Sequence, residues 1–194
     1  YYANCIRAAH LCGSQYLCIT AANACFDEPK QKLMEYCIEN LNALVKVAEE
    51  ENVILLLGTV MGMDSPCNAS TPIVLTVDEV AEIIEQIGSS YLAAYADTQV
   101  LSIRGESLTD WFDRLGEKVR LVRFTDGNYN GYRIWGKGVL PAEKLAEEIY
   151  RTGFNGLISF QIPGERYCEN PKDAQKQNHF RALSAWREVM DCQR

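Results

Sequence analysis

The chain is short of positive charge: 19 Lys and Arg residues stand against 26 Asp and Glu, which gives a formal net charge of −7. A surface of this charge repels the phosphate backbone of nucleic acids, whose protein partners carry basic stripes. The sequence also lacks an apolar run of about 18 residues, the length that a membrane-spanning helix needs. We therefore expect neither a nucleic-acid partner nor a membrane partner.

Histidine, a common ligand of transition metals, is scarce as well. There are only two histidines, His10 and His179, and both fall in segments with helical spacing. The eight cysteines contain no CxxC pair, and several lie in apolar patterns where Cys acts as a small hydrophobe. No basic segment followed by a long apolar stretch marks a signal peptide, so we expect reduced thiols and a cytoplasmic protein.

Short apolar runs alternate with amphipathic stretches along the whole chain. Period and punctuation predict strands at 16–20, 53–57, 91–96, 119–124 and 157–160, and helices near 3–12, 29–51, 76–87, 107–115, 141–152 and from 170 onwards. Thr76 followed by Glu79 is typical of a capping box. Such alternation indicates parallel strands joined by helical crossovers. Both a doubly wound open sheet and a piece of a (β/α)8 barrel fit it.

Polar residues stand where several of these strands end. In either architecture the carboxyl ends of the strands carry the chemistry. The candidate positions are Thr20, Gly58, Asp97, Asp126 and Gln161, with Arg123 just before the end of its strand. Simple contact with solvent is the alternative explanation for their polarity.

Five segments resemble, in order and spacing, stretches of the xylose isomerase-like barrel family. They are NVILLLG at 52–58, YADT at 95–98, LGEKVRLVRFTD at 115–126, WGKGVLP at 135–141 and GFNGLISFQ at 153–161. The resemblance implies an α/β fold: a partial (β/α)8 TIM barrel made of strands four to eight, with parallel strands and outer helices. It also implies a single domain over residues 1–194 that lacks the first three βα units. The nearest likeness within the family is to ketose 3-epimerases, including the fructoselysine epimerase type.

The resemblance also identifies positions of a metal site. Family members hold a divalent ion such as Mn²⁺ with Glu, Asp, His and Glu from strands five to eight, and the two glutamates move the substrate proton. The corresponding residues are Gly58, Asp97, Arg123 and Gln161, so only Asp97 is a retained ligand. We expect a lost metal site and no cofactor; a Mn²⁺-type ion would be bound only if this correspondence is wrong. Arg123, with its fixed positive charge, would pair with Asp97 in place of the ion.

These replacements leave the question of enzymatic activity open between two main hypotheses. One is a sugar or sugar-phosphate isomerase or epimerase with altered or lost metal-dependent proton transfer. Its candidate catalytic positions are Asp97, Asp126 and Gln161, with Asp64 and Glu165 as further candidates by location. The other is a non-catalytic carbohydrate-binding descendant, or a truncated fragment of the same fold. Its candidate ligand contacts are Arg123, Lys137, Tyr129 and Trp135, together with Arg133 and Tyr132.

A small carbohydrate is the expected partner in both cases, and a homo-oligomer is possible. An apurinic-site endonuclease needs many His and acidic ligands and a basic face, so we set that function aside.

Overall fold

A computed structural model describes residues 1–25, 27–60 and 70–192 of the chain. Its strands are β1 (Tyr16–Thr20), β2 (Asn23–Cys25), β3 (Ile54–Gly58), β4 (Ser70–Pro72), β5 (Leu92–Asp97), β6 (Val119–Arg123), β7 (Asp126–Asn128), β8 (Gly131–Arg133) and β9 (Leu157–Ser159). Its α-helices are α1 (Tyr2–Leu11), α2 (Lys30–Glu50), α3 (Val77–Ile87), α4 (Thr98–Arg104), α5 (Leu108–Leu115), α6 (Ala142–Arg151) and α7 (Pro171–Cys192).

The five predicted strands form one sheet, in the order β1-β3-β5-β6-β9. The pairs β1–β3, β3–β5 and β6–β9 are parallel. Helices fall between successive strands of this sheet along the chain, as crossovers between parallel strands require. The predicted parallel α/β organisation is therefore confirmed.

Three features were not predicted from the sequence. Two small antiparallel pairs, β2–β4 and β7–β8, flank the main sheet strands along the chain. The short helix α4 begins directly where β5 ends. The segments of these pairs have three residues each, too few to show a periodic pattern.

The chain divides into two compact units, and the first comprises Tyr1–Tyr95 and Arg114–Arg120. Its centre is β3, whose Leu55, Leu56 and Leu57 are all fully buried, as expected for a strand covered on both faces. The capping box at Thr76 is present: its side chain accepts from the Glu79 N–H and the Glu79 carboxylate accepts from the Thr76 N–H. Gly88 ends α3 in the left-handed conformation.

The second unit comprises Ala96–Asp113 and Leu121–Arg194. Its largest fully buried side chains are Trp111 and Phe124. The Phe124 ring lies 4.4 Å, centroid to centroid, from that of Trp135. On α7 the buried positions include Ala182 and Ala185, whose small side chains permit close packing. The Phe124 ring also lies 6.1 Å, centroid to centroid, from that of Trp186 on α7.

Two expectations about membranes and thiols can be compared with this fold. Across 1–25, 27–60 and 70–192, no helix combines the length and the apolar character needed to cross a membrane. Within the same ranges, the thiols of Cys5, Cys12, Cys37, Cys168 and Cys192 are free.

We predict that Thr76→Ala lowers the free energy of unfolding by about 1 kcal/mol, because the Glu79 N–H loses its acceptor at the start of α3. Urea denaturation followed by circular dichroism would measure the change. Gln86→Ala, at an exposed position of the same helix, is the control and should change stability by less than about 0.5 kcal/mol. Equal effects of the two substitutions would contradict the capping assignment.

A second prediction concerns pH. Burial raises the pKa of the Glu148 carboxyl; the Leu108 N–H opposes this shift, and Asp110 and Glu147 add to it. A raised pKa in the folded state means that ionising Glu148 destabilises the fold as pH rises through that pKa. Glu148→Gln should therefore be more stable than the parent at pH 7, with the difference vanishing below about pH 4.

Urea unfolding at a series of pH values tests this expectation. Glu188→Gln, on the exposed side of α7, serves as the control and should show a flat difference. A Glu148→Gln variant that is less stable than the parent at pH 7 would show that the carboxylate is instead stabilised by its neighbours.

Candidate functional site

Asp97 occupies the carboxyl end of β5 and is also the N-cap of α4. Only 3% of the residue is exposed. Its Oδ1 accepts from the backbone N–H groups of Gln99 at 3.1 Å and Val100 at 3.4 Å. The strand end thus places the carboxylate, and the first turn of the helix supplies two donors that a buried anion requires.

Three side chains from β6 and the following hairpin complete its surroundings. The Thr125 hydroxyl donates to Asp97 Oδ1 at 2.9 Å, and the Tyr132 hydroxyl donates to Oδ2 at 2.8 Å. The Arg123 guanidinium lies 3.5 Å from the same Oδ2. The predicted Arg123–Asp97 ion pair is therefore confirmed. We call these four residues the Asp97 cluster.

The arrangement does not suit a divalent ion. Both Asp97 oxygens already accept hydrogen bonds, and Arg123 brings a permanent positive charge to the carboxylate. Within the described ranges, no three His, Cys, Asp or Glu side chains are grouped so as to hold a metal. Hard cations need several oxygen ligands, which one engaged carboxylate does not supply.

Thr98 and Gln99 are part of the site although the sequence did not single them out. Thr98 Oγ1 donates to the Thr125 carbonyl at 2.7 Å and accepts from the Thr125 N–H at 2.8 Å. Gln99 Nε2 donates to the Asn128 carbonyl at 2.9 Å. These bonds tie the start of α4 to the segment after β6, which holds Thr125 beside Asp97.

Asp126 lies one residue after Thr125 and organises a loop. Its Oδ1 accepts from the N–H groups of Gly127 at 2.7 Å and Leu140 at 3.1 Å. Its Oδ2 accepts from Gly136 at 3.0 Å and Gly138 at 2.9 Å. A Cβ at position 138 would overlap this carboxylate, so glycine is required there. Four backbone donors engage the candidate catalytic Asp126, which is 1% exposed.

The candidate ligand contacts separate into different environments. Arg123 belongs to the Asp97 cluster, whereas Lys137 is exposed and lines a cavity with Arg133. The Tyr129 ring is 94% exposed. Trp135 is buried: its ring packs on Phe124 and its Nε1 donates to the Phe124 carbonyl at 3.2 Å. The structure therefore does not bring these four side chains to one surface.

The remaining candidates are Gln161, Gly58, Glu165 and Asp64. Gln161 is half-buried just after β9, and Glu165 is exposed in a single 3₁₀ turn. Gly58 ends β3, and a Cβ added there would overlap the ring of Tyr95. Tyr95 thus takes up the space of a side chain at position 58. Asp64 lies outside the described residues.

Comparison with known proteins identifies the chain's relatives. Residues 1–185 match the family model described as xylose isomerase-like TIM barrel. Fructoselysine 3-epimerase of Escherichia coli O157:H7 is 26% identical over 174 residues, which cover 87% of this chain and 60% of that protein. The chain therefore spans less than two thirds of this relative's length.

Solved structures show the same fold. A D-tagatose 3-epimerase-like protein superposes with a TM-score of 0.81 at 16% identity, over 99% of this chain and 69% of that one. The IolI protein with a bound zinc atom gives a TM-score of 0.80 at 14% identity, over 97% and 68% of the two chains. The predicted partial (β/α)8 barrel and the family resemblance are both confirmed.

We predict that Asp126→Asn lowers the free energy of unfolding by about 2–4 kcal/mol. The amide nitrogen cannot accept the bonds that one carboxylate oxygen receives, so two partly buried N–H groups lose their acceptor. Asp113→Asn, at an exposed position of α5, is the control. If chemical denaturation gives the same free energy of unfolding for both variants, the role assigned to Asp126 in holding the loop is wrong.

Proposed function

Because the chain belongs to the xylose isomerase-like TIM barrel family of sugar isomerases and epimerases, we propose that it binds a small sugar or sugar phosphate without metal-dependent proton transfer. The relative named fructoselysine 3-epimerase and the D-tagatose 3-epimerase-like structure support a carbohydrate ligand. The Asp97 cluster supports the change in chemistry.

The Arg123–Asp97 contact is the observation that carries the proposal. The family resemblance implies that Asp97 is the one retained ligand position. Its side chain is 2% exposed, and that of Arg123 is 23% exposed. A carboxylate so deeply buried needs a positive partner, and a guanidinium supplies that charge at any physiological pH. A divalent ion would have to compete with a charge that is covalently part of the chain.

The cluster can still contact a carbohydrate. Arg123 presents a planar set of N–H donors and is partly exposed, so its outer edge can donate to carbonyl, hydroxyl or phosphate oxygens. A carbonyl oxygen held there would be polarised by the guanidinium. This interaction binds and orients a ligand, and by itself it moves no proton.

Two replacements favour binding over turnover. The positions that correspond to the family's acid/base glutamates are Gly58, which has no side chain, and Gln161, whose amide cannot act as a base near neutral pH. Asp126 has both oxygens engaged by backbone donors. A carbohydrate-binding protein without catalysis is therefore the form of the proposal that these residues favour.

Proton exchange and binding can be measured in one NMR experiment. The chain is mixed in D₂O with fructoselysine, D-psicose or D-tagatose, with and without Mn²⁺. We expect saturation-transfer signals from at least one sugar, and no loss of the proton at carbon 3 under either condition. Arg123→Met should weaken binding about tenfold because it removes the donor set while keeping an unbranched chain.

The matched control is Arg120→Met, at an exposed position of the same strand, β6. It should bind as the parent does. Deuterium incorporation at carbon 3 that depends on Mn²⁺ would contradict the proposal, whereas incorporation without Mn²⁺ would show altered rather than lost proton transfer. Failure of all three sugars to bind would remove the carbohydrate assignment.

A further inference from the structure

A cavity of about 470 Å³ lies in the second unit beside the β7–β8 hairpin and the start of α7. Among its lining residues are Arg133, Lys137, Arg166, Tyr167, Asn170 and Asp173. Three of these are cations and one is an anion. In a chain with a net charge of −7, this is a local excess of positive charge.

The three cations are not neutralised by the protein. Across the described ranges, no carboxylate lies within 4.0 Å of Arg133, Lys137 or Arg166, although eight other ion pairs are formed. Asp173 is held by the helix cap instead: the Asn170 amide donates to its carboxylate at 2.6 Å. The positive charge of the three side chains is thus available to a ligand in the cavity.

Backbone carbonyls hold both guanidinium groups in place. Arg166 Nη2 donates to the Asn130 carbonyl at 3.0 Å, and Arg133 Nη1 donates to the Tyr132 carbonyl at 3.1 Å. Each bond uses one of the five N–H donors of a guanidinium. The anchoring reduces the rotamer entropy that would be lost on binding a ligand.

Two neutral features add to the attraction for an anion. The Tyr167 hydroxyl accepts from the Ile134 N–H at 3.2 Å, so its own hydrogen can be donated. The helix α7, 22 residues long, begins at Pro171 with its positive dipole end at this cavity. Neither feature would define a site alone, but both act in the same direction as the three cations.

We propose that this cavity binds a phosphate group. Three cations with several N–H donors match the charge and the multiple oxygens of a phosphate dianion better than those of a single carboxylate. Tyr132 and Arg133 are neighbours on β8, and successive side chains of a strand point to opposite faces. Tyr132 reaches Asp97 while Arg133 lines the cavity, so this site is separate from the Asp97 cluster.

Calorimetric titration of the 194-residue chain with inorganic phosphate tests the proposal. We expect saturable binding, weakened about fivefold or more by Lys137→Gln and by Arg166→Gln, and weakened further when both are changed. Arg166→Lys keeps the charge and should lose less. The control is Arg187→Gln, which should bind as the parent does. Arg187 is exposed and lies about 24 Å along α7 from Pro171.

Melting temperatures of all variants verify that each is folded. Absence of saturable phosphate binding by the parent at about 0.1 M salt would overturn the proposal. Binding by the Lys137→Gln and Arg166→Gln variants that is as tight as that of the parent would also overturn it. Acetate binding as tightly as phosphate would overturn the assignment to phosphate. The source of the phosphate follows from comparing D-fructose 6-phosphate with inorganic phosphate. Tighter binding of the sugar phosphate indicates a phosphorylated ligand, and equal binding of the two indicates free phosphate.

Discussion

The burial of the Asp97 carboxylate is the constraint from which much of the second unit follows. A charged oxygen pair removed from water must be surrounded by donors or cations. The chain meets this need with the first turn of α4, with the hydroxyls of Thr125 and Tyr132, and with the Arg123 guanidinium. Each donor fixes a different segment, so one carboxylate sets the relative positions of a helix start, a strand end and a hairpin.

The hairpin in turn depends on the second aspartate. Tyr132 reaches Asp97 only because β8 folds back on β7, and β7 begins at Asp126. The Asp126 carboxylate accepts hydrogen bonds from the N–H groups of Gly136, Gly138 and Leu140 and so closes the loop that follows the hairpin. Asp97 is the last residue of β5, and Asp126 follows the end of β6 by three residues. One faces side chains that could meet a ligand, and the other holds only backbone.

This difference explains which parts of the fold and the site could be predicted from the sequence. The five main strands, the capping box at Thr76 and the pair between Arg123 and Asp97 all follow from periodicity, local chemistry and the family resemblance. The hairpin could not be predicted, because three-residue strands such as Asp126–Asn128 carry no period and are held by long-range bonds. For the same reason the sequence could not distinguish a buried Trp135 from an exposed Tyr129, since both are aromatic residues of one loop.

The same local couplings bear on the proposal that the family's metal ligands are replaced in this chain. Arg123 is held by Asp97, and the space for a side chain at Gly58 is taken by the ring of Tyr95. Returning either position to its family residue would leave a neighbour unsatisfied or overlapped: an uncompensated Asp97 in one case, a displaced Tyr95 in the other. Substitutions that share contacts in this way are not additive. The residues at positions 58 and 123 therefore have to be considered together with their neighbours. Packing against Tyr95 and charge pairing with Asp97 stabilise the present arrangement.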